Sequence, residues 1–307
     1  MALPPNDKPT PNQRPIRQFN RRSGQPRFDP GAPRKSSSSP LIKAVLIIGV
    51  VIALMVMVLV GYAFLVAKPN LPKISALTDY NPKTPLRIYT ADKVLIGEFG
   101  EERRRVIPLA EIPLSMRNAV LAIEDDRFYS HGGVDYVGIL RATVTNLRGH
   151  LSQGASTITM QVARNFFLSN EKTFSRKIYE VLLAWEIESQ LTKDKILEIY
   201  MNQIFLGQRA YGFSSAAQIY FGKELKDISI AESAMLAGLP KAPSAYNPVS
   251  NFRRAKIRQE YILQRMRDLG YISPDEYQKA MTEELHIRGL GNEFAVRADF
   301  PAEMVRQ

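Results

Sequence analysis

The pattern of apolar and polar positions predicts a mostly helical protein that begins with one long apolar segment. Ala44 to Ala67 is uncharged for 24 residues and is composed mainly of Val, Ile, Leu, Met, Ala and Gly. As a helix it would be roughly 36 Å long at 1.5 Å per residue, which is enough to cross a bilayer. The segment is too long for a signal-peptide core and lacks an obvious small-x-small cleavage site. It is therefore predicted to be a retained transmembrane anchor, with a buried core helix as the alternative.

Beyond the anchor, the pattern predicts a short hairpin followed by successive helices. Leu86–Tyr89 and Val94–Phe99 alternate as two strands around a turn. From Pro113 onward the apolar residues recur mostly at helical spacing, with long helices over residues 174–191 and 253–269. Helix starts are predicted from the capping residues Thr192, Ser229 with Glu232, and Ser273 before Pro274.

Composition narrows the class of protein. The chain has 307 residues, enough for one sizeable domain with appendages. It contains no cysteine, which excludes disulfides, thiolate metal sites and a cysteine nucleophile. Its three histidines, His131, His150 and His286, lie far apart in the sequence and do not indicate a histidine metal cluster. The helical spacing described above predicts a mainly α fold class, and no organic cofactor is expected.

The charge is concentrated at the N-terminus. Residues 1–43 hold nine Lys or Arg and two Asp, a net +7 of the total +11. They are rich in Pro, Arg, Asn and Ser, so we predict a disordered basic tail. Positive charge before the anchor is denser than after it, which predicts a cytoplasmic tail and an exported remainder. Nucleic-acid binding is not predicted, because the folded part has no basic patch interleaved with aromatics.

The first candidate site is residues 119–133, an apolar helix that ends in Glu124, Asp125 and Asp126 before Gly132. Three carboxylates at a helix C-terminus oppose the helix dipole, and local rules are most often broken at functional sites. Like charges and an apolar wall both raise a carboxyl pKa, which suits a general base or acid. A solvated helix end is the alternative.

Two further stretches indicate anion binding. Residues 153–161 form a small-residue loop that runs into a helix, where Ser156 or Thr157 would cap the helix and leave backbone N–H groups for a phosphate, with Arg164 nearby. An ordinary capped helix is the alternative. Arg176 and Glu180 lie four residues apart on a later helix, next to Lys177 and before an apolar run. These residues would suit stabilisation of the negative charge that develops on a phosphate leaving group. A surface ion pair is the alternative.

The last two stretches are less directly chemical. Residues 192–202 place Glu198 and Asn202 on one helix face, with Ile196, Ile199 and Tyr200 as the buried stripe. From the residues alone, a structural network is favoured there over direct chemistry. Residues 229–248 form a capped helix with a proline-rich exit.

Taken in order, these five stretches resemble the peptidoglycan glycosyltransferase domain (family 51) of class A penicillin-binding proteins, over about residues 78–284. The family usually has Gln where this chain has Met160. The resemblance implies a lysozyme-like glycosyltransferase lobe with a small membrane-associated jaw. It implies polymerisation of lipid II into β-1,4-linked glycan strands, with inversion at the anomeric carbon and release of undecaprenyl diphosphate. It also implies a divalent cation, Mg²⁺, held loosely or by the substrate, for which Asp125 and Asp126 are the candidate ligands without a firm ligand set.

The resemblance assigns roles to individual residues. Glu124 matches the catalytic base and Glu180 the second glutamate of the family. The implied substrate-binding residues are Asp125, Phe128, His131, Gly154, Ser156, Thr157, Gln161, Arg164, Arg176, Lys177, Glu198 and Asn202.

The expected organisation has four parts: a basic cytoplasmic tail over residues 1–43, the signal anchor over 44–67, the glycosyltransferase domain over 68–285, and the start of an inter-domain linker over 286–307. The only Ser-x-x-Lys, residues 169–172, lies inside the glycosyltransferase match, and there is no Lys-Thr-Gly. The chain is therefore expected to be part of a bifunctional enzyme that lacks its transpeptidase, with a monofunctional relative as the alternative. It would lie in the bacterial inner membrane, with its catalytic domain periplasmic, and act with cell-wall synthesis partners.

Two other functions are compatible with the sequence. A lysozyme-like hydrolase or lytic transglycosylase also uses paired carboxylates, but the cations near Glu180 favour a diphosphate leaving group. A non-catalytic membrane scaffold is the other alternative, and the presence of all the matched carboxylates speaks against it.

Overall fold

The computed structural model describes residues 40–74, 77, 86–92, 95–99, 103–147, 156–168 and 173–288. The described part begins with one long apolar helix, α1 (Pro40–Tyr62). The chain forms two units, residues 1–54 and 55–307, and the described part of the first is the beginning of α1. No side chain of α1 is buried, and within the described residues it is the one helix long and apolar enough to cross a membrane. Residues 1–39 of the predicted tail, residues 151–155 and most of the predicted linker lie outside the described residues.

The second unit continues α1 through a π-helical turn, Ala63–Ala67, and a 3₁₀ turn, Lys68–Asn70. Ala67 is fully buried. The predicted hairpin is confirmed: β1 (Leu86–Tyr89) pairs antiparallel with β2 (Leu95–Phe99). A second small sheet joins distant parts of the chain, because β3 (Arg103–Arg104) pairs in parallel with β4 (Ala210–Tyr211).

Helices make up most of the remaining described chain, which confirms the predicted mainly α class. In chain order they are α2 (Leu114–Glu124), α3 (Tyr136–Leu147), α4 (Ile158–Phe167), α5 (Phe174–Gln190), α6 (Lys193–Gln203), α7 (Phe213–Phe221), α8 (Ile230–Ala237), α9 (Phe252–Asp268) and α10 (Pro274–Thr282). Short 3₁₀ turns at Leu109–Glu111, Phe128–Ser130 and Leu225–Asp227 connect them.

The predicted helix starts are confirmed at their capping residues. The Thr192 hydroxyl accepts from the backbone N–H of Lys195 at the start of α6. Ser229 and Ser273 each form a capping box, with Glu232 and Glu276 respectively. These caps satisfy backbone donors that have no partner within the helix, so a local sequence signal is enough to fix the boundary.

The core is built by two groups of packed helices. Helix α4 packs against α5 and α6, and α2 packs against α8 and α9. The predicted buried stripe of α6 is confirmed, with Ile196, Ile199 and Tyr200 all buried. Met160 is also buried, in a small apolar cluster with Val134 and Ala184. The side chain of Met160 therefore serves packing.

The loop after α2 approaches α5 at Gly133. Its φ is +84°, and a Cβ at this position would lie 2.9 Å from the carbonyl oxygen of Ala184. Only glycine accommodates both this backbone conformation and this approach. The loop carries the residues that follow Glu124, so Gly133 fixes one side of the site described next.

Candidate active site

A cleft of about 300 Å³ opens where the C-terminus of α2 meets the N-terminus of α4, with α3, α9 and the loop after α8 as its other walls. Sequence analysis predicted seven of its lining residues, namely Glu124, Asp125, Asp126, Ser156, Thr157, Gln161 and Arg164. The first and second candidate stretches of the sequence thus meet at one site. A polar cleft of this kind is the default location for a ligand or substrate.

Glu124 is the last residue of α2 and faces the cleft. Burial raises the pKa of its carboxyl above the ordinary value of 4.5, and the Asp125 charge adds to the rise. The hydrogen bond from Gln161 and the charges of Arg258 and Arg164 oppose it. Gln161 Nε2 donates to Glu124 Oε2 at 2.7 Å, and no described residue donates a hydrogen bond to Oε1. One carboxylate oxygen is thus held while the other is available for a proton.

Asp125 joins the end of α2 to the start of α4. His131 Nε2 lies 2.9 and 3.1 Å from its two carboxylate oxygens, and the backbone N–H of Ile158 donates to Oδ2 at 3.1 Å. The two side chains are almost fully buried, with 3% of Asp125 and 8% of His131 exposed. His131 does not line the cleft. Asp125 thus lines the cleft and His131 supports it from outside the lining, while substrate contact by His131 stays a prediction.

Asp126 is paired with arginines. Arg265 Nη2 donates to its Oδ2 at 3.0 Å, and Arg141 Nη2 lies 3.4 Å from Oδ1. With Asp125 bonded to His131 and Ile158, and Asp126 paired with two arginines, a cation here would have to compete with partners already in place. No group of three metal-binding side chains exists among the described residues. Asp125 and Asp126 do not fit a protein-held cation, and a cation carried by the substrate stays a prediction.

Glu180 is the centre of a cationic cluster beside the cleft. Its side chain is 1% exposed and lies 3.0 Å from Lys177 Nζ, 3.4 Å from Arg176 Nε and 4.0 Å from Arg164 Nη1. The low-dielectric surroundings predicted for Glu180 are confirmed by this burial. Arg164 lines the cleft, whereas Glu180 does not. Glu180 therefore holds these cations through ion pairs without lining the cleft itself.

Ser156 and Thr157 open α4 at the cleft. Thr157 is the N-cap, because its hydroxyl accepts from the N–H of Met160 at 3.2 Å. Ser156 Oγ accepts from Lys177 Nζ at 2.8 Å, which connects the loop to the cationic cluster. Gly154, the other predicted member of this loop, lies outside the described residues.

Besides His131, Arg176 and Lys177, three more of the predicted substrate-binding residues do not line the cleft, namely Phe128, Glu198 and Asn202. Phe128 is 1% exposed and packs under the ammonium of Lys193, 4.4 Å from the ring centroid. Glu198 Oε2 accepts from the N–H of Leu109 at 2.9 Å. Asn202 binds both the N–H and the carbonyl of Ile107, at 3.0 and 2.9 Å. Glu198 and Asn202 thus form the structural network that the residues alone favoured, and substrate contact by these three residues stays a prediction.

Sequence reasoning missed the wall that α9 provides. Arg258, Tyr261 and Arg265 line the cleft from this helix. The Arg258 guanidinium lies 5.5 Å from the ring centroid of Tyr261 and 5.7 Å from that of Tyr246. Their spacing of three and four residues places them on one helix face, but such a polar face also fits solvent. Only the packing of α9 against α2 shows that this face meets the cleft.

The fold and the cleft define a helical domain that sets a carboxylate beside a cationic wall, an arrangement suited to group transfer from a diphosphate. A transglycosylase family model matches residues 92–267, more than half of the chain. The chain belongs to the transglycosylase family, and the family expected from the five stretches is confirmed.

The most similar relatives include penicillin-binding proteins 1A. That of Neisseria meningitidis serogroup A / serotype 4A is 56% identical over 250 residues, which are 81% of this chain and 31% of the relative. That of Pseudomonas aeruginosa is 50% identical over 245 residues, 80% of this chain and 30% of the relative. The chain spans about a third of the length of these curated relatives. A crystal structure of penicillin-binding protein 1A from Haemophilus influenzae is 33% identical, covering 74% of this chain and 24% of that chain, with a TM-score of 0.43.

Proposed function

We propose that this chain is a peptidoglycan glycosyltransferase that polymerises lipid II into β-1,4-linked glycan strands. One observation carries the proposal: Glu124, with a raised pKa and one carboxylate oxygen available, lines the same cleft as the cationic wall of Arg164. A base and an anion-binding wall in one cleft suit attack by a sugar hydroxyl on a carbon that carries a diphosphate.

Glu124 acts as the general base in this proposal. Its carboxylate takes the proton from the acceptor 4-hydroxyl as that oxygen attacks the anomeric carbon of the lipid-linked strand. The new C–O bond forms on the face opposite the diphosphate, so the configuration inverts. The anomeric carbon–oxygen bond breaks, and its electron pair leaves on the phosphate oxygen. A raised pKa brings the base closer to neutral pH, where proton transfer is most effective.

The cationic cluster stabilises the departing diphosphate. Arg164, Arg176 and Lys177 carry three positive charges against the single negative charge of Glu180, which leaves a net excess of +2 for the ligand. Charges fixed in advance toward a developing anion lower the barrier because they need no reorganisation during the reaction. Any Mg²⁺ that the reaction needs would be carried by the diphosphate of the substrate. No step of this proposal depends on a cation held by the protein.

A membrane location fits a substrate with a polyprenyl chain. Helix α1 is long and apolar enough to span a bilayer. Helix α3, beside the cleft, exposes Tyr136, Val137 and Leu140 by 61 to 66%, and an apolar face of this kind suits contact with lipid or protein. We place the chain in the inner membrane with its N-terminus cytoplasmic, on the charge asymmetry around the anchor. The catalytic domain would then be periplasmic, in reach of cell-wall synthesis partners.

Incubation of the detergent-solubilised chain with labelled lipid II and Mg²⁺, followed by gel separation of the products, tests the proposal. We expect a polymer ladder from the parent chain and none from Glu124→Gln. Glu111→Gln is the matched control, because Glu111 is exposed on a 3₁₀ turn outside the cleft lining. Polymer from Glu124→Gln at the parent rate would remove Glu124 as the base. Soluble fragments from purified sacculi, without polymer from lipid II, would favour the hydrolase instead.

A further inference from the structure

A buried tyrosine lies behind the proposed base and is joined to it by one side chain. Gln161, on α4, donates from Nε2 to Glu124 Oε2 at 2.7 Å. The other end of the same amide, Oε1, faces the hydroxyl of Tyr200 on α6 at 3.5 Å. Gln161 is 6% exposed and Tyr200 1% exposed. The chain of contacts therefore links three helices, α2, α4 and α6, and only Glu124 and Gln161 reach the cleft.

The amide has one orientation that satisfies both neighbours. An ionised carboxylate only accepts hydrogen bonds, so the NH₂ group of Gln161 must face Glu124. The amide oxygen then faces Tyr200, whose hydroxyl is the donor. Burial raises the pKa of Tyr200 well above its ordinary value of 10, so the phenol keeps its proton. The charges of Glu124 and Asp125 also raise the pKa of Tyr200, and the charge of Arg164 lowers it.

The hydroxyl matters most when Glu124 has taken up a proton. At that moment the charge that orients the amide is gone, and a protonated carboxyl can donate to the amide oxygen instead. If the amide flipped in this state, its oxygen and not its NH₂ group would face the carboxylate once the proton leaves. Tyr200 opposes this, because among the described residues the amide oxygen of Gln161 is the acceptor within reach of its O–H.

The stability of the fold gives little reason for a hydroxyl at this position. Tyr200 belongs to the apolar stripe of α6 with Ile196 and Ile199, where a phenylalanine would pack equally well. A buried hydroxyl costs free energy unless it is bonded. At 3.5 Å the contact is long for a hydrogen bond between a hydroxyl and an oxygen, so its contribution to the free energy of folding is small.

We propose that Tyr200 is a positioning residue, which orients the Gln161 amide so that this amide holds one oxygen of Glu124 and leaves the other for the acceptor hydroxyl. This inference rests on the proposed function. It makes no claim of contact between Tyr200 and the substrate.

The test compares Tyr200→Phe with the parent chain in steady-state assays on lipid II, alone and in a Gln161→Ala background. Tyr200→Phe should lower kcat by about two- to threefold, the low end for one neutral hydrogen bond because the contact is long, and leave KM unchanged. In the Gln161→Ala background the same substitution should change nothing further, because Tyr200 acts only through that amide.

Tyr220→Phe is the matched control. Tyr220 is equally buried, and its hydroxyl donates to the carbonyl of Leu206 at 2.8 Å, away from the cleft lining. This substitution should lower the melting temperature more than Tyr200→Phe does and leave kcat at the parent value.

Three outcomes would overturn the proposal. Tyr200→Phe with the parent kcat would show that the hydroxyl is not needed, and an effect that persists in the Gln161→Ala background would show that it acts by another route. In both cases the parent chain makes polymer and the proposed function stands. A parent chain that makes no polymer from lipid II would overturn the proposed function and this inference with it.

Discussion

The ammonium of Lys177 lies 3.0 Å from Glu180 Oε2 and donates to Ser156 Oγ at 2.8 Å. One side chain thus joins the buried carboxylate of α5 to the loop at the start of α4. The Lys177 side chain is 45% exposed, whereas that of Glu180 is 1% exposed. The carboxylate is therefore a fixed part of the protein, and the lysine is the part that can reach a ligand.

Lys177→Ala should weaken donor binding much more than it destabilises the fold. The side chain is half exposed, so its ion pair adds little to the free energy of unfolding, about 0–1 kcal/mol. Loss of a charge-assisted contact to a diphosphate should weaken lipid II binding by roughly tenfold or more. Lipid II affinity and the melting temperature, measured side by side, check the prediction.

Lys195→Ala is the matched control for this substitution. Lys195 is 49% exposed and forms the same type of pair, with Glu198 three residues later at 2.6 Å, but it lies outside the cationic cluster around Glu180. The two variants should have similar melting temperatures, and only Lys177→Ala should lose affinity. An unchanged affinity with a lowered melting temperature would reverse the assignment of Lys177.

Glu180→Gln should destabilise the fold and disturb the diphosphate site together. Removal of the buried charge leaves three cations without their common anion, and because those cations are 20 to 45% exposed they can relax toward water. We expect a loss of about 1–3 kcal/mol in the free energy of unfolding. Glu186→Gln on the same helix is the control, since the Glu186 carboxylate bonds only Gln190 one turn away among the described residues. Equal urea midpoints for the two variants would contradict the expected role of Glu180.

The sequence predicted the elements whose signals are local. The long apolar helix follows from the composition of residues 44–67, and the starts of α6, α8 and α10 follow from caps such as Thr192. Glu124, Gln161 and Arg164 were also predicted as site residues, since each stands in a recognisable motif.

The remainder depends on packing that no local pattern contains. Arg258 and Tyr261 sit on a polar helix face, which looks the same whether it meets solvent or a cleft. Phe128 and Asn202 look like site residues in their motifs, yet one packs in the core and the other binds the backbone of Ile107. Sequence motifs here mark residues that build the site as readily as residues that contact a substrate.

Asp125→Ala should destabilise the fold more than the substitution of an exposed aspartate does. The Asp125 carboxylate accepts from His131 and from the backbone of Ile158, and all of these groups are buried. Its removal leaves buried donors unpaired, at an expected cost of about 2–4 kcal/mol in the free energy of unfolding. Asp227→Ala, at an exposed aspartate in a 3₁₀ turn, should change stability by less than about 0.5 kcal/mol. Comparable urea unfolding curves for the two variants would show that Asp125 does not join α2 to α4.

The raised pKa of Glu124 predicts opposite effects of pH on activity and on stability. The base must be ionised, so kcat/KM should fall as pH decreases through the pKa of Glu124, which lies above the ordinary 4.5 because of burial. Between 4.5 and the folded-state pKa the native protein binds more protons than the unfolded chain, so this group lowers the stability as pH rises across that window. Its stabilising contribution is fully present below pH 4.5 and is lost above the folded-state pKa.

Glu124→Gln should therefore be inactive, yet more stable than the parent at pH 7, with the difference shrinking as pH falls toward 4.5. Urea unfolding of both chains across this range, beside the pH profile of the parent, checks the two signs together. A variant less stable than the parent at pH 7 would mean that the carboxylate is held by contacts stronger than the cost of its burial, and Glu124 would then be a poor base.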